Sequence, residues 1–129
     1  MTESRSLRNL RRTLSVVGWV PILAGAATVV LGAESIPDAG PENANLESEL
    51  RFYAVWWIAA GCFVLWLAPR VGERTRELRV FCALLFLAGT SRLFAVLDTD
   101  WPSTGQLVLM VVEWTLAVVF VTWQARATR

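Results

Sequence analysis

The run Val80 to Leu97, VFCALLFLAGTSRLFAVL, constrains the fold most, because it is long, apolar and carries one charge, Arg92. As a helix it rises about 27 Å, close to the roughly 30 Å hydrocarbon core of a bilayer. An arginine within such a helix costs on the order of 3 kcal/mol on insertion scales unless it finds a partner or reaches water. The next apolar run, Gln106 to Trp123, carries one acid, Glu113. Only the segment Asp98 to Gly105 joins the two runs, so the helices are expected to be antiparallel neighbours. By helical rise Arg92 then lies roughly 7 Å, and Glu113 roughly 10 Å, below the same membrane face. The sequence therefore predicts that these two charges meet within one leaflet.

Four apolar segments take up more than half of the chain: 14–32, 52–68, 80–97 and 106–123. They leave no room for a separate soluble domain among 129 residues, 55% of them hydrophobic. A soluble bundle would keep a polar stripe on each helix. These segments are apolar nearly all round, which calls for lipid outside them. The first run is about nineteen residues, longer than the ~7–15 of a signal-peptide core, so it reads as a retained span. The expected fold is all-α: one domain over residues 1–129, a left-handed antiparallel four-helix transmembrane bundle.

Charge sets the expected orientation. The chain has no lysine, and ten of its twelve arginines fall in the amino-terminal segment, the link between spans two and three, and the tail. The opposite side holds Arg51 among Glu34, Asp38, Glu42, Glu47, Glu49, Asp98 and Asp100. The positive-inside rule then puts both termini in the cytoplasm, in the inner or plasma membrane. The turn-rich stretch 33–45 reads as an external loop, with Asn45 as the helix cap of span two.

Small residues mark the expected seams. Gly18, Gly25 and Gly32 recur every seven residues in span one, as do Ala54, Gly61 and Ala68 in span two. Span three carries Cys82 and Gly89. Lipid supplies no hydrophobic force between helices, so close backbone approach at small residues defines the packed faces. Pro21 is expected to disturb span one near its start.

Helical angles gather the polar residues. Arg92 shares its face with Leu85, Ala88, Gly89 and Val96, pointing into the bundle. Gln106, Glu113, Ala117 and Gln124 form one stripe on span four. Arg51, about 60° from the Ala54–Gly61 seam, is expected at the mouth of the same leaflet, while Glu49 falls on the opposite side of span two, near Tyr53 and Trp56. Arg92 alone could snorkel to the interface, but Glu113 is too short and too deep to do so. The candidate polar cluster is Arg51, Arg92, Glu113, Glu49, Tyr53 and Gln106. Two readings of it stand open: a structural ion-pair clamp, or a site for a small ligand.

Other chemistry is not written in the chain. It has no histidine, and its two cysteines lie in separate spans, so zinc, haem and Cys–His catalysis find no ligand set. No phosphate-binding glycine loop and no basic-aromatic patch for nucleic acid is present. Neither a metal nor a cofactor is expected, and only Glu113 could act as a general acid or base.

The segments SELRFYAVWWIAAGCFVLWLAPR, ALLFLAGTSRLFAVL, the Trp101–Pro102 step and LVLMVVEWTLAVVFVTWQAR together resemble the bacterial domain-of-unknown-function family 4345. The resemblance covers about Glu47 to Arg126, with span one matching in position and composition. It implies a small four-span membrane protein whose recurring polar positions are Glu49, Arg51, Arg92 and Glu113, and it implies no activity. The function expected is therefore non-enzymatic: a membrane protein that binds or passes a small polar or amphiphilic molecule. The alternative is an accessory or scaffolding subunit with a purely structural clamp. Its expected surroundings are the bilayer, a small ligand or lipid, and a membrane partner or second copy.

Overall fold

The computed structural model describes residues 4–37, 39–40, 43–98 and 101–129. Asp38 and Glu42, counted above among the external acids, and Asp100 lie outside the described residues. The described residues are helical, without strands: α1 (Arg5–Val17), α2 (Trp19–Leu31), α3 (Ala44–Leu67), α4 (Thr75–Asp98) and α5 (Thr104–Ala127). Short 3-10 turns at Gly32–Ser35 and Ala68–Arg70 follow α2 and α3. Four helical stretches are long and apolar enough to cross a membrane: Arg5–Ser35, Ala44–Arg70, Thr75–Asp98 and Thr104–Ala127. Large apolar side chains such as Leu23, Val30, Leu84, Leu87 and Phe94 lie exposed along them. Apolar exposure on this scale suits hydrocarbon rather than water.

The chain divides into two compact units, one of residues 11–69 and one of residues 1–10 with 70–129. In the first, α2 and α3 run antiparallel in a register the small residues dictate. A Cβ added at Gly61 would lie 2.5 Å from the Gly18 carbonyl oxygen, and one at Gly25 2.6 Å from that of Ala54. Gly32 faces the Glu47 carboxylate in the same way. The rungs 18–61, 25–54 and 32–47 keep one register, each seven residues from the next. The expected seam is therefore present, and Gly89 behaves likewise in the second unit, 3.0 Å from the Trp114 ring by the same measure. Replacing Gly61 by leucine should lower the melting temperature in detergent by several degrees, because the opposing atom is backbone and cannot yield. Gly40→Leu, with nothing near it, is the control expected to melt with the parent. Equal melting of both variants would remove Gly61 from the seam.

One boundary differs from expectation, and one follows it. The cap of α3 is Asn43, not Asn45: its extended backbone lets the side chain accept from the Asn45 and Leu46 amides at 3.0 Å. Helix thus begins two turns before the apolar run, because capping rather than hydropathy sets its start. In span one the regular helix is interrupted at Gly18, between α1 and α2. Pro21 lacks the amide that would meet the Val17 carbonyl, and its ring crowds that oxygen.

In the second unit α4 and α5 pack antiparallel. Trp114 lies over Gly89, donates to Thr90 Oγ1 at 3.1 Å and packs beside the Phe86 ring. At the other end Gln124 is fully buried and donates to the Val71 carbonyl at 2.8 Å and to Thr75 Oγ1 at 3.0 Å. The start of α1 belongs to this unit. Ser4 caps α1 at the Leu7 amide, while Ser6 accepts from Trp123 Nε1 at 3.0 Å.

Candidate functional site

Arg92 sits one turn beyond Gly89, where α4 and α5 approach closely enough for its side chain to cross to the neighbour. Its guanidinium grips Glu113 with both prongs: Nε donates to Oε2 and Nη2 to Oε1, each at 3.0 Å. Nη1 donates to Gln106 Oε1 at 2.7 Å. Gln106 and Glu113 are seven residues apart on α5, two turns on one face, so one arginine reaches both. The side chains keep 33% and 17% of their exposure, so the pair is shielded and the arginine retains an open side. A parallel two-bond fork is the strongest arrangement an arginine and a carboxylate can make. It also occupies both oxygens of Glu113, the one carboxylate read as a candidate acid or base.

Beside this fork lies a cavity of about 160 Å³, lined by Arg92, Ala95, Pro102, Gln106, Leu107 and Met110. Its lining is mostly aliphatic, with Arg92 and Gln106 as the polar residues. Pro102 follows from the Trp101–Pro102 step that leads into α5, and Met110 lies one turn from both Gln106 and Glu113. Of these residues, the sequence marks Arg92 and Gln106 alone, since the other four have no chemistry of their own.

Arg51 does a different job, in the α2–α3 unit. Its Nε and Nη2 donate to Glu47 Oε1 at 3.0 and 2.6 Å, and Nη1 to the Val29 and Val30 carbonyls at 2.5 and 3.3 Å. Glu47 Oε2 in turn accepts from the Ala33 amide at 3.1 Å. The last carbonyls of a helix have no partner within it, and Arg51 supplies one for the end of α2. Thr28 and Ser35 close the same turn with a hydroxyl pair at 2.7 Å. A cavity of about 320 Å³ opens there, lined by Val30, Leu31, Ala33, Glu34, Glu47 and Arg51.

Of the residues singled out by sequence, Arg92, Glu113 and Gln106 come together in one cluster. Arg51 is committed to Glu47 and to α2. Glu49 is exposed and makes no ion pair among the described residues, and Tyr53 is exposed with its ring edge-on to Phe52. Sequence reasoning misses Glu47 as a partner, although its i,i+4 spacing to Arg51 is the signal for such a pair. Among the described residues no three histidine, cysteine, aspartate or glutamate side chains gather as a metal site.

The family model described as a domain of unknown function, DUF4345, matches residues 10–124. That match takes in α2 and most of α1, so span one is part of the shared pattern and not only alike in composition. No curated protein matches the chain, and no solved structure does. The chain belongs to the DUF4345 family.

Proposed function

We propose that this DUF4345 member is a non-enzymatic multi-pass protein of the inner or plasma membrane that binds or passes a small amphiphilic molecule at the α4–α5 pair. The arginine distribution supports cytoplasmic termini. The observation that carries the binding reading is the cavity beside the fork, lined by Arg92 and Gln106 together with Ala95, Pro102, Leu107 and Met110. Mixed walls of this kind, a few fixed polar groups amid aliphatic ones, are what orients a small ligand. A cavity near 150 Å³ accommodates a molecule of about benzene's size. Closure of both Glu113 oxygens by Arg92 speaks against acid–base work. The same closure favours a second reading, an accessory subunit whose fork is a clamp and whose outer faces meet a partner helix or another copy.

Ligand extraction separates the two. Protein taken from membranes in mild detergent and then denatured should release a small molecule in near-equimolar amount. The Ala95→Leu variant, which fills the cavity from an exposed helical position, should melt with the parent yet release little. Equal recovery from both proteins, or none from either, would leave the accessory-subunit reading standing.

A further inference from the structure

We infer that the cavity beside Arg92 recognises its ligand through side chains that only donate hydrogen bonds, and so favours a neutral carbonyl or ether group. This rests on the binding reading above and adds the chemistry of what is bound. Arginine offers five N–H groups and no acceptor. Its Nη1 therefore needs the oxygen of Gln106, which fixes the amide and turns its NH₂ into the free end. Among the described residues that nitrogen has no acceptor, and neither does the second hydrogen on each of Arg92 Nη1 and Nη2. The remaining lining side chains, Ala95, Pro102, Leu107 and Met110, bring no donor and only a weak thioether acceptor. Every strong side-chain group among the lining residues with a hydrogen-bonding site to spare is thus a donor.

Charge narrows the class further. Glu113 already cancels Arg92 through the fork. A carboxylate guest would add an unbalanced negative charge in apolar surroundings, and an ammonium would meet only donors among these side chains. An alcohol satisfies the donors but strands its own hydrogen. A ketone, ester or ether leaves nothing unpaired. Such a group could come from a free small molecule or from the ester of a lipid, and at about 160 Å³ only the ester end of a lipid would enter.

Four probes of one size test this on the full chain: cyclohexanone, methylenecyclohexane, cyclohexylammonium and cyclohexanecarboxylate, followed by ligand-detected NMR with empty micelles as the blank. Cyclohexanone should bind about tenfold more tightly than methylenecyclohexane, the worth of one retained hydrogen bond. The Arg92→Met/Gln106→Leu double variant, which removes every side-chain donor of the lining, should erase that preference while still binding the hydrocarbon, whereas Gln106→Leu alone should keep part of it through Arg92. Cyclohexanone binding that survives in phosphatidylcholine nanodiscs points to a free ligand, and its loss there points to a lipid ester as the native occupant; both support donor-only recognition. Equal affinity for the ketone and the hydrocarbon, or tightest binding of either ion, would overturn the inference while leaving the cavity a binding site. Failure of all four probes would overturn the binding reading itself.

Discussion

Arg92→Met and Glu113→Gln should each destabilise the protein, by about 3 kcal/mol, and the double variant should regain most of that loss. Breaking a buried pair from one side costs roughly 3–5 kcal/mol because the surviving charge is uncompensated. Residual exposure of 33% for Arg92 and 17% for Glu113 sets the expectation at the lower end of that range. It also makes the two losses unequal. After Glu113→Gln, Arg92 keeps Gln106 as an acceptor, and its long stem can swing toward the interface. After Arg92→Met, Glu113 has no such reach, so this variant should be the less stable. Arg92→Lys should not restore stability, since an ammonium cannot form the two-pronged fork. Denaturant titrations of the two singles and the double would give a coupling above about 1 kcal/mol. Coupling near zero would mean that water screens each charge separately and that the fork is no clamp.

Helical arithmetic alone finds this cluster. Rise per residue puts Arg92 and Glu113 at one depth, and the 100° step puts Gln106, Glu113, Ala117 and Gln124 on one stripe. Gln106 and Glu113 meet Arg92, while Ala117 and Gln124 are buried. The α2–α3 register is equally legible, since residues without bulk recur at the one spacing that lets two backbones stay close over several turns. The role of Arg51 is not legible by depth. Depth counts a charge against lipid, whereas the competing demand comes from the carbonyls of Val29 and Val30 at the end of α2. Periodicity cannot see those oxygens, because every residue has one. The cavity escapes notice for a related reason. Ala95, Pro102, Leu107 and Met110 are ordinary span residues, and the space among them exists only once the turn into α5 and the reach of Arg92 are known.

The end of α2 should be as sensitive as the fork, and through a glycine. Gly32 has φ 61° and ψ −140°, a backbone region in which side chains are strained. Strain of that kind costs on the order of 1–3 kcal/mol for a non-glycine residue. A Cβ there would also overlap the Glu47 carboxylate. That carboxylate cannot move away freely, because it holds the Ala33 amide and Arg51, and Arg51 holds the two last-turn carbonyls of α2. Gly32→Ala therefore adds the loss of caps, about 1 kcal/mol for each hydrogen bond broken, to the backbone strain. We expect a total near 3 kcal/mol or more, read as a large fall in melting temperature. Glu47→Ala adds no backbone strain and leaves Arg51 its Val29 and Val30 acceptors, so it should destabilise less than Gly32→Ala does. Combining the two should cost clearly less than the sum, because the overlap is counted in one variant only. Full additivity would mean that Gly32 and Glu47 do not compete for the same space. A Gly32→Ala protein within about 0.5 kcal/mol of the parent, the range of a bland surface change, would show that this turn relaxes to another conformation and that the Arg51 cap is not what holds α2 to α3.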